Sequence, residues 1–140
     1  MRASRTEPEL EEIPEAESLQ ILGQHSLGRV AVVVEGRPQI FPVNYGVRDR
    51  MVVFRTAAGT KLSHAPGTHV AFEIDGYDES AGAGWSVVVQ GLARDVTSAG
   101  DDFAWTARGV PAYPLAPGTK SHRVAIEGST ITGRRFRTAG

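Results

Sequence analysis

The sequence predicts a mainly β domain: a six-stranded antiparallel barrel or sandwich with three short helices. Three observations predict it. Runs rich in β-branched residues recur along the chain, as in Val30-Ala31-Val32-Val33-Val34 and Met51 to Thr56. Short turns join them, such as Glu35-Gly36-Arg37-Pro38 and Arg48-Asp49-Arg50. No strand–helix–strand rhythm of a parallel sheet is present.

Taken in order, residues 1–12 are acidic, lack large apolar periodicity and carry Pro8, so they read as a mobile arm. Residues 13–140 read as one domain, since about 100–200 residues suit a single domain. Pro14 opens a helix over 14–24 with Leu19 and Leu22 on its apolar side, and Gly23 favours its end. The first strand, Val30 to Val34, is nearly continuously apolar and is expected to be buried on both faces. On so small a sheet its second face needs a cover, which a partner subunit would supply. A second strand spans 39–47, where Pro42 suggests an edge or bulge. Met51 to Thr56 completes a meander. A short helix follows Lys61, then come strands at Thr68 to Asp75 and Trp85 to Val96, with a glycine-containing loop over 76–84. Residues 98–108 form a helix, Pro111 to Pro117 a proline-rich passage, and 122–136 the last strand region.

Composition removes several function classes. Net charge is −1, from 15 basic and 16 acidic residues, which gives no electrostatic footprint for nucleic acid. The absence of cysteine excludes disulfides, thiol nucleophiles, zinc–thiolate sites and iron–sulfur clusters, and suits a cytoplasmic location. Apolar runs are too short to span a bilayer, and no apolar core follows the basic N-terminus as a secretory signal requires. His25, His64, His69 and His122 lack metal-ligand spacing and read as surface or capping residues. Ser86 is outside a nucleophile elbow because Val88 replaces the final glycine. Glu73 and Asp75 share one strand face about 7 Å apart, a spacing open to a carboxylate pair but read as a solvated face.

Basic residues are thirteen arginines and two lysines, Lys61 and Lys120, so the placement of each lysine is informative. In Phe54-Arg55-Thr56-Ala57-Ala58-Gly59-Thr60-Lys61-Leu62 a strand meets a helix. Strand alternation sets Arg55 on the side of Met51 and Val53, and Thr56 on the side of Val52 and Phe54. Thr60 stands near the helix N-cap, where free backbone N–H groups suit a phosphate. Arg55 and Lys61 add charge, and both threonines add hydroxyl donors. The same pattern is equally that of a solvated arginine, an ordinary cap and a surface lysine. A Walker-type loop is excluded, since Phe54 stands where its first glycine belongs.

Several runs together resemble the pyridoxamine-phosphate-oxidase-like family of flavin-binding split β-barrels. They are Leu27-Gly28-Arg29-Val30, Pro38 to Tyr45, Val53 to Leu62, Val70 to Asp75 and Gly84 to Gly91. The ending Ile131-Thr132-Gly133-Arg134-Arg135-Phe136 is similar to that of small actinobacterial members. The resemblance implies a homodimer with FMN at the subunit interface. It implies that Pro42, Val43, Asn44 and Tyr45 lie along the isoalloxazine and that Arg55, Thr56, Thr60 and Lys61 hold the phosphate. Trp85 and Ser86 would contribute at the ring edge or from the facing subunit. The implied activity is a flavin-dependent oxidoreductase passing hydride to or from a small planar substrate. The chain ends Arg134-Arg135-Phe136-Arg137 without the family's arginine–histidine substrate motif, which argues against oxidation of pyridoxamine phosphate itself. A deazaflavin coenzyme on the same fold is the alternative. A dimeric module that carries a cofactor, haem or lipid without turnover is the alternative of another class.

Overall fold

The computed structural model describes residues 8–113 and 122–138. Lys120 and most of the proline-rich passage lie outside them. The described strands are β1 (Glu9–Ile13), β2 (Leu27–Val34), β3 (Arg37–Asn44), β4 (Gly46–Arg48), β5 (Met51–Thr56), β6 (His69–Asp78), β7 (Ala83–Asp95) and β8 (His122–Arg137). Helices α1 (Glu15–Gly23) and α2 (Asp102–Arg108) and a 3-10 turn (Lys61–His64) accompany them. All pairings are antiparallel, in the order β3-β2-β6-β7-β8-β5-β4, with β1 added beside β8.

The mainly β antiparallel architecture is as expected, but eight strands replace six, for two local reasons. Residues 9–12, expected in the terminal arm, belong to β1, which pairs with the C-terminal part of β8 from Glu9↔Arg137 to Ile13↔Gly133. The expected strand over 39–47 breaks at Tyr45. There the backbone N–H bonds to the Ser26 carbonyl at 2.9 Å, and the chain leaves β2 to pair with β5 as β4. β3 is an edge strand, which accommodates Pro38 and Pro42 because an edge has no second ladder to supply. The expected loop over 76–84 shrinks to a turn, because β6 and β7 stay paired out to Asp78↔Ala83. The Arg134–Arg137 ending is no tail: it lies in β8 between β1 and β7, and Arg135 pairs with Glu17 of α1.

Burial corrects the assignment of the doubly covered strand. β2 alternates: Gly28, Val30 and Val32 are buried, while Leu27, Arg29 and Val33 are exposed. The strand with both faces covered is β5. Its Val52 and Phe54 enter the barrel core with Leu22, Val30, Phe72, Ile74 and Val89. Its Met51 and Val53 meet a second cluster built by Ala104 and Ala107 of α2 with Val110 and Ala112.

Candidate functional site

The stretch that leaves β5 folds as a small knot of hydroxyls. Gly59 has φ +78°, a left-handed turn that glycine adopts without cost, and an added Cβ would meet nothing within 4 Å. This turn carries the chain back so that Thr60 faces Thr56, with their Oγ1 atoms 3.2 Å apart. Thr60 Oγ1 accepts the Ser63 N–H at 3.3 Å and donates to the Ala57 carbonyl at 2.9 Å. Ser63 Oγ donates to the Thr60 carbonyl. Thr56 is only 4% exposed, and its one other bond, to the Ala57 carbonyl, is long at 3.4 Å.

Two features of this junction bear on the phosphate reading. The helix after Lys61 is a single four-residue 3-10 turn, too short to add aligned peptide dipoles, so any grip on an anion belongs to side chains. Arg55 and Thr56 belong to one short stretch but face opposite sides of β5. Arg55 stands on the α2 side, in register with Arg123 of β8. Burial pulls the Arg123 pKa down, and the Arg55 charge adds to it. Lys61 is exposed and forms no ion pair with any described residue.

Beside the knot lies a cleft of about 300 Å3 lined by Thr56, Gly59, Ser63, Asp95, His122 and Val124 among others. A histidine–carboxylate hydrogen bond also lines it: His122 Nδ1 lies 2.8 Å from Asp95 Oδ2. Partial burial pushes the Asp95 pKa up, but hydrogen bonds from Thr97 and His122 outweigh it and leave it below the ordinary carboxylate value.

The remaining expected residues divide between the two faces of the sheet. Val43, Tyr45 and Trp85 turn inward. Tyr45 is 5% exposed, sits edge-on to Phe72, and donates its hydroxyl to the Leu22 carbonyl at 2.6 Å, which ties it to α1. Burial pushes its phenol pKa up, so it stays a donor. Trp85 lies over Gly76 with the His25 ring 4.9 Å away and packs against the barrel core. Pro42, Asn44 and Ser86 turn outward, opposite Arg29, Leu27 and Asp75.

That outer face also carries an ionic cluster that the sequence reading treated as merely solvated. Arg29 Nη1 lies 3.8 Å from Glu73 and 3.5 Å from Asp75. Burial pushes the Glu73 carboxyl up to about 7, assisted by the hydrogen bond and charge of Asp75 and opposed by Arg29. The ion-pair contacts argue the other way, but at these lengths and exposures they are weak, so proton sharing between the carboxyls prevails. Register explains the cluster: Arg29 pairs with Glu73 across β2 and β6. Next to it a groove of about 480 Å3 runs among Ala31, Val33, Pro38, His69, Ala71 and Gln90. Leu27, Val33 and Ile40 are 53%, 61% and 67% exposed on the same face. Among the described residues no cluster of three or more His, Asp or Glu is placed to hold a metal, and no helix is long and apolar enough to cross a membrane.

A curled antiparallel sheet of this order, with two small helices, is a split β-barrel, and solved structures match it. The FAD binding protein from Mycobacterium smegmatis superposes with a TM-score of 0.76 at 37% identity, covering 91% of this chain and 98% of that one. A conserved protein of unknown function from Corynebacterium diphtheriae gives 0.72 at 30%, covering 91% and 98%. An uncharacterised protein of Mycobacterium tuberculosis is 35% identical over 134 residues, 91% of this chain and 86% of the relative. The family model Pyridoxamine 5'-phosphate oxidase matches residues 14–135, and the chain belongs to that family.

Proposed function

We propose that this protein is a flavin-dependent oxidoreductase that works in the cytoplasm as a homodimer and holds FMN by its phosphate at the corner after β5. The carrying observation is the Thr56–Thr60 hydroxyl pair, with Thr56 lining the cleft and the exposed Lys61, in no ion pair with a described residue, following Thr60 in the chain. These are cationic and hydroxyl groups that suit a phosphate, and they occur in a chain 37% identical to a FAD binding protein. Bound there, the flavin supplies two-electron transfer with a small planar substrate, and the protein positions and tunes it.

The chain's own residues then have separable tasks. Lys61, Thr56 and Thr60 anchor the tail, while Arg55 stands on the opposite, α2 side of β5. The outward edge of β3, with Pro42 and Asn44, lies along the ring, together with the backbone of Val43 and Tyr45. Ser86 and Trp85 flank the ring from β7 or from the second subunit. Dimerisation is supported by the bare apolar residues Leu27, Val33 and Ile40 on the face that also carries Pro42 and Asn44.

The test is the visible spectrum of freshly purified protein, followed by titration with FMN, FAD, a deazaflavin coenzyme and riboflavin. Lys61→Ala is expected to weaken FMN binding by about 1.5–3 kcal/mol, the range for a charge-assisted hydrogen bond. Unchanged FMN affinity in that variant removes the assigned role of the corner. Preference for the deazaflavin transfers the reading to that coenzyme. Tight binding without turnover of any acceptor points to a carrier.

A further inference from the structure

Asp95 and His122 are 27 positions apart in sequence, and neither belongs to the runs that suggested a cofactor site. The sheet order β7-β8-β5 brings them to one corner. His122 opens β8 as the register partner of Thr56, and Asp95 closes β7 opposite Val124. The imidazole is held firmly for a residue at a strand end. Its Nδ1 contacts Asp95 Oδ2 at 2.8 Å, and Asp95 Oδ1 accepts the Thr97 N–H at 2.9 Å. Thr97 Oγ1 in turn accepts the Arg123 N–H at 2.9 Å, which pins the strand next to His122.

A carboxylate only accepts, so Nδ1 carries a proton and Nε2 is the ring's remaining polar atom. No described residue partners Nε2, and His122 lines the same cleft as Thr56 and Ser63. The cleft thus carries a buried threonine hydroxyl and, beside it across the β5–β8 ladder, an oriented imidazole. With Nδ1–H held on the carboxylate, Nε2 is the ring atom free to face an anion, and an Nε2–H there donates to it.

We propose that His122, oriented by Asp95, is a further phosphate ligand of this cleft, donating through Nε2 beside the Thr56 hydroxyl. The inference rests on the reading that a phosphate-bearing cofactor binds at the β5 corner. A mononucleotide phosphate and the diphosphate of a dinucleotide share the chemistry, so FMN and FAD are separate arms of the test.

The experiment compares wild type, His122→Gln and Lys61→Ala in titrations with FMN, FAD and riboflavin, read by fluorescence quenching, with thermal melts as a fold control. In His122→Gln the Kd for FMN is expected to rise roughly tenfold or more, as for loss of one charge-assisted hydrogen bond, while that for riboflavin stays unchanged. A matching loss for FAD identifies the diphosphate as an equal ligand. Unchanged FMN affinity, or equal weakening of FMN and riboflavin, overturns the role of His122. If Lys61→Ala reduces the FMN-over-riboflavin preference and His122→Gln does not, the corner stands and His122 falls. If wild type shows no such preference, both fall. Should His122→Gln fail to fold, inorganic phosphate added to labelled wild type must shift the His122 Nε2 resonance, and an unmoved resonance at millimolar phosphate overturns the proposal.

Discussion

β2 and β5 are two short apolar strands of similar composition that meet opposite fates. Val52, Val53 and Phe54 of β5 are fully buried, because the barrel core covers one face and α2 with Val110 covers the other. β2 buries Val30 and Val32 against Phe72 and Ile74, yet leaves Val33 61% exposed. An apolar run therefore states a demand for cover without saying who meets it. In β5 a helix of the same chain does. In β2 no described residue does, and that face is where Pro42, Asn44 and Ser86 emerge beside the Arg29–Glu73–Asp75 cluster.

The comparison breaks most visibly at Phe54. Phe54→Ala empties a fully buried site in β5 and is expected to cost about 3–5 kcal/mol of unfolding free energy, measured by chemical denaturation. A loss below about 1 kcal/mol would mean that β5 is not the closed strand described here. The matching change in β2 is Val33→Glu. On an exposed site it should leave the unfolding free energy of the subunit within about 0.5 kcal/mol. In the proposed homodimer it should nevertheless shift the mass in solution from dimer to monomer, read by analytical ultracentrifugation. An unaltered mass removes this face from the subunit contact.

The smallest effect belongs to the proton shared on the outer face. The folded state holds the Glu73 proton up to about 7, whereas the unfolded chain releases it near 4.5. Stability from this group is therefore complete below the lower value and lost as pH rises through the upper one. Glu73→Gln removes that loss, so melting temperatures of wild type should fall relative to the variant between those two pH values. Because the two carboxyls share the proton, the midpoint belongs to the pair. Parallel curves would sever Glu73 from any proton uptake.

Much of the fold was legible because its signals are local. β-branched runs and short turns located β2, β5, β6, β7 and β8, and Pro42 marked β3 as an edge. Strand alternation correctly put Arg55 and Thr56 on different sides of β5, although the same reading then gathered both at one phosphate corner. β1 escaped notice because four of its five residues are exposed and three are glutamates, so it carries no apolar period. The resemblance set Tyr45 along the flavin ring, and nothing nearby in sequence reveals that its hydroxyl reaches Leu22.

The amino-acid sequence by itself determined the strand-rich character, the turn positions and the family, because each depends on neighbours a few residues apart. Only the tertiary structure decided which faces are covered and which distant side chains meet. Asp95 joins His122, Arg29 reaches Glu73 and Asp75, and α2 lands on β5 instead of β2. These depend on sheet register and on where a connection returns, and such long-range choices are set by the packing of the whole chain.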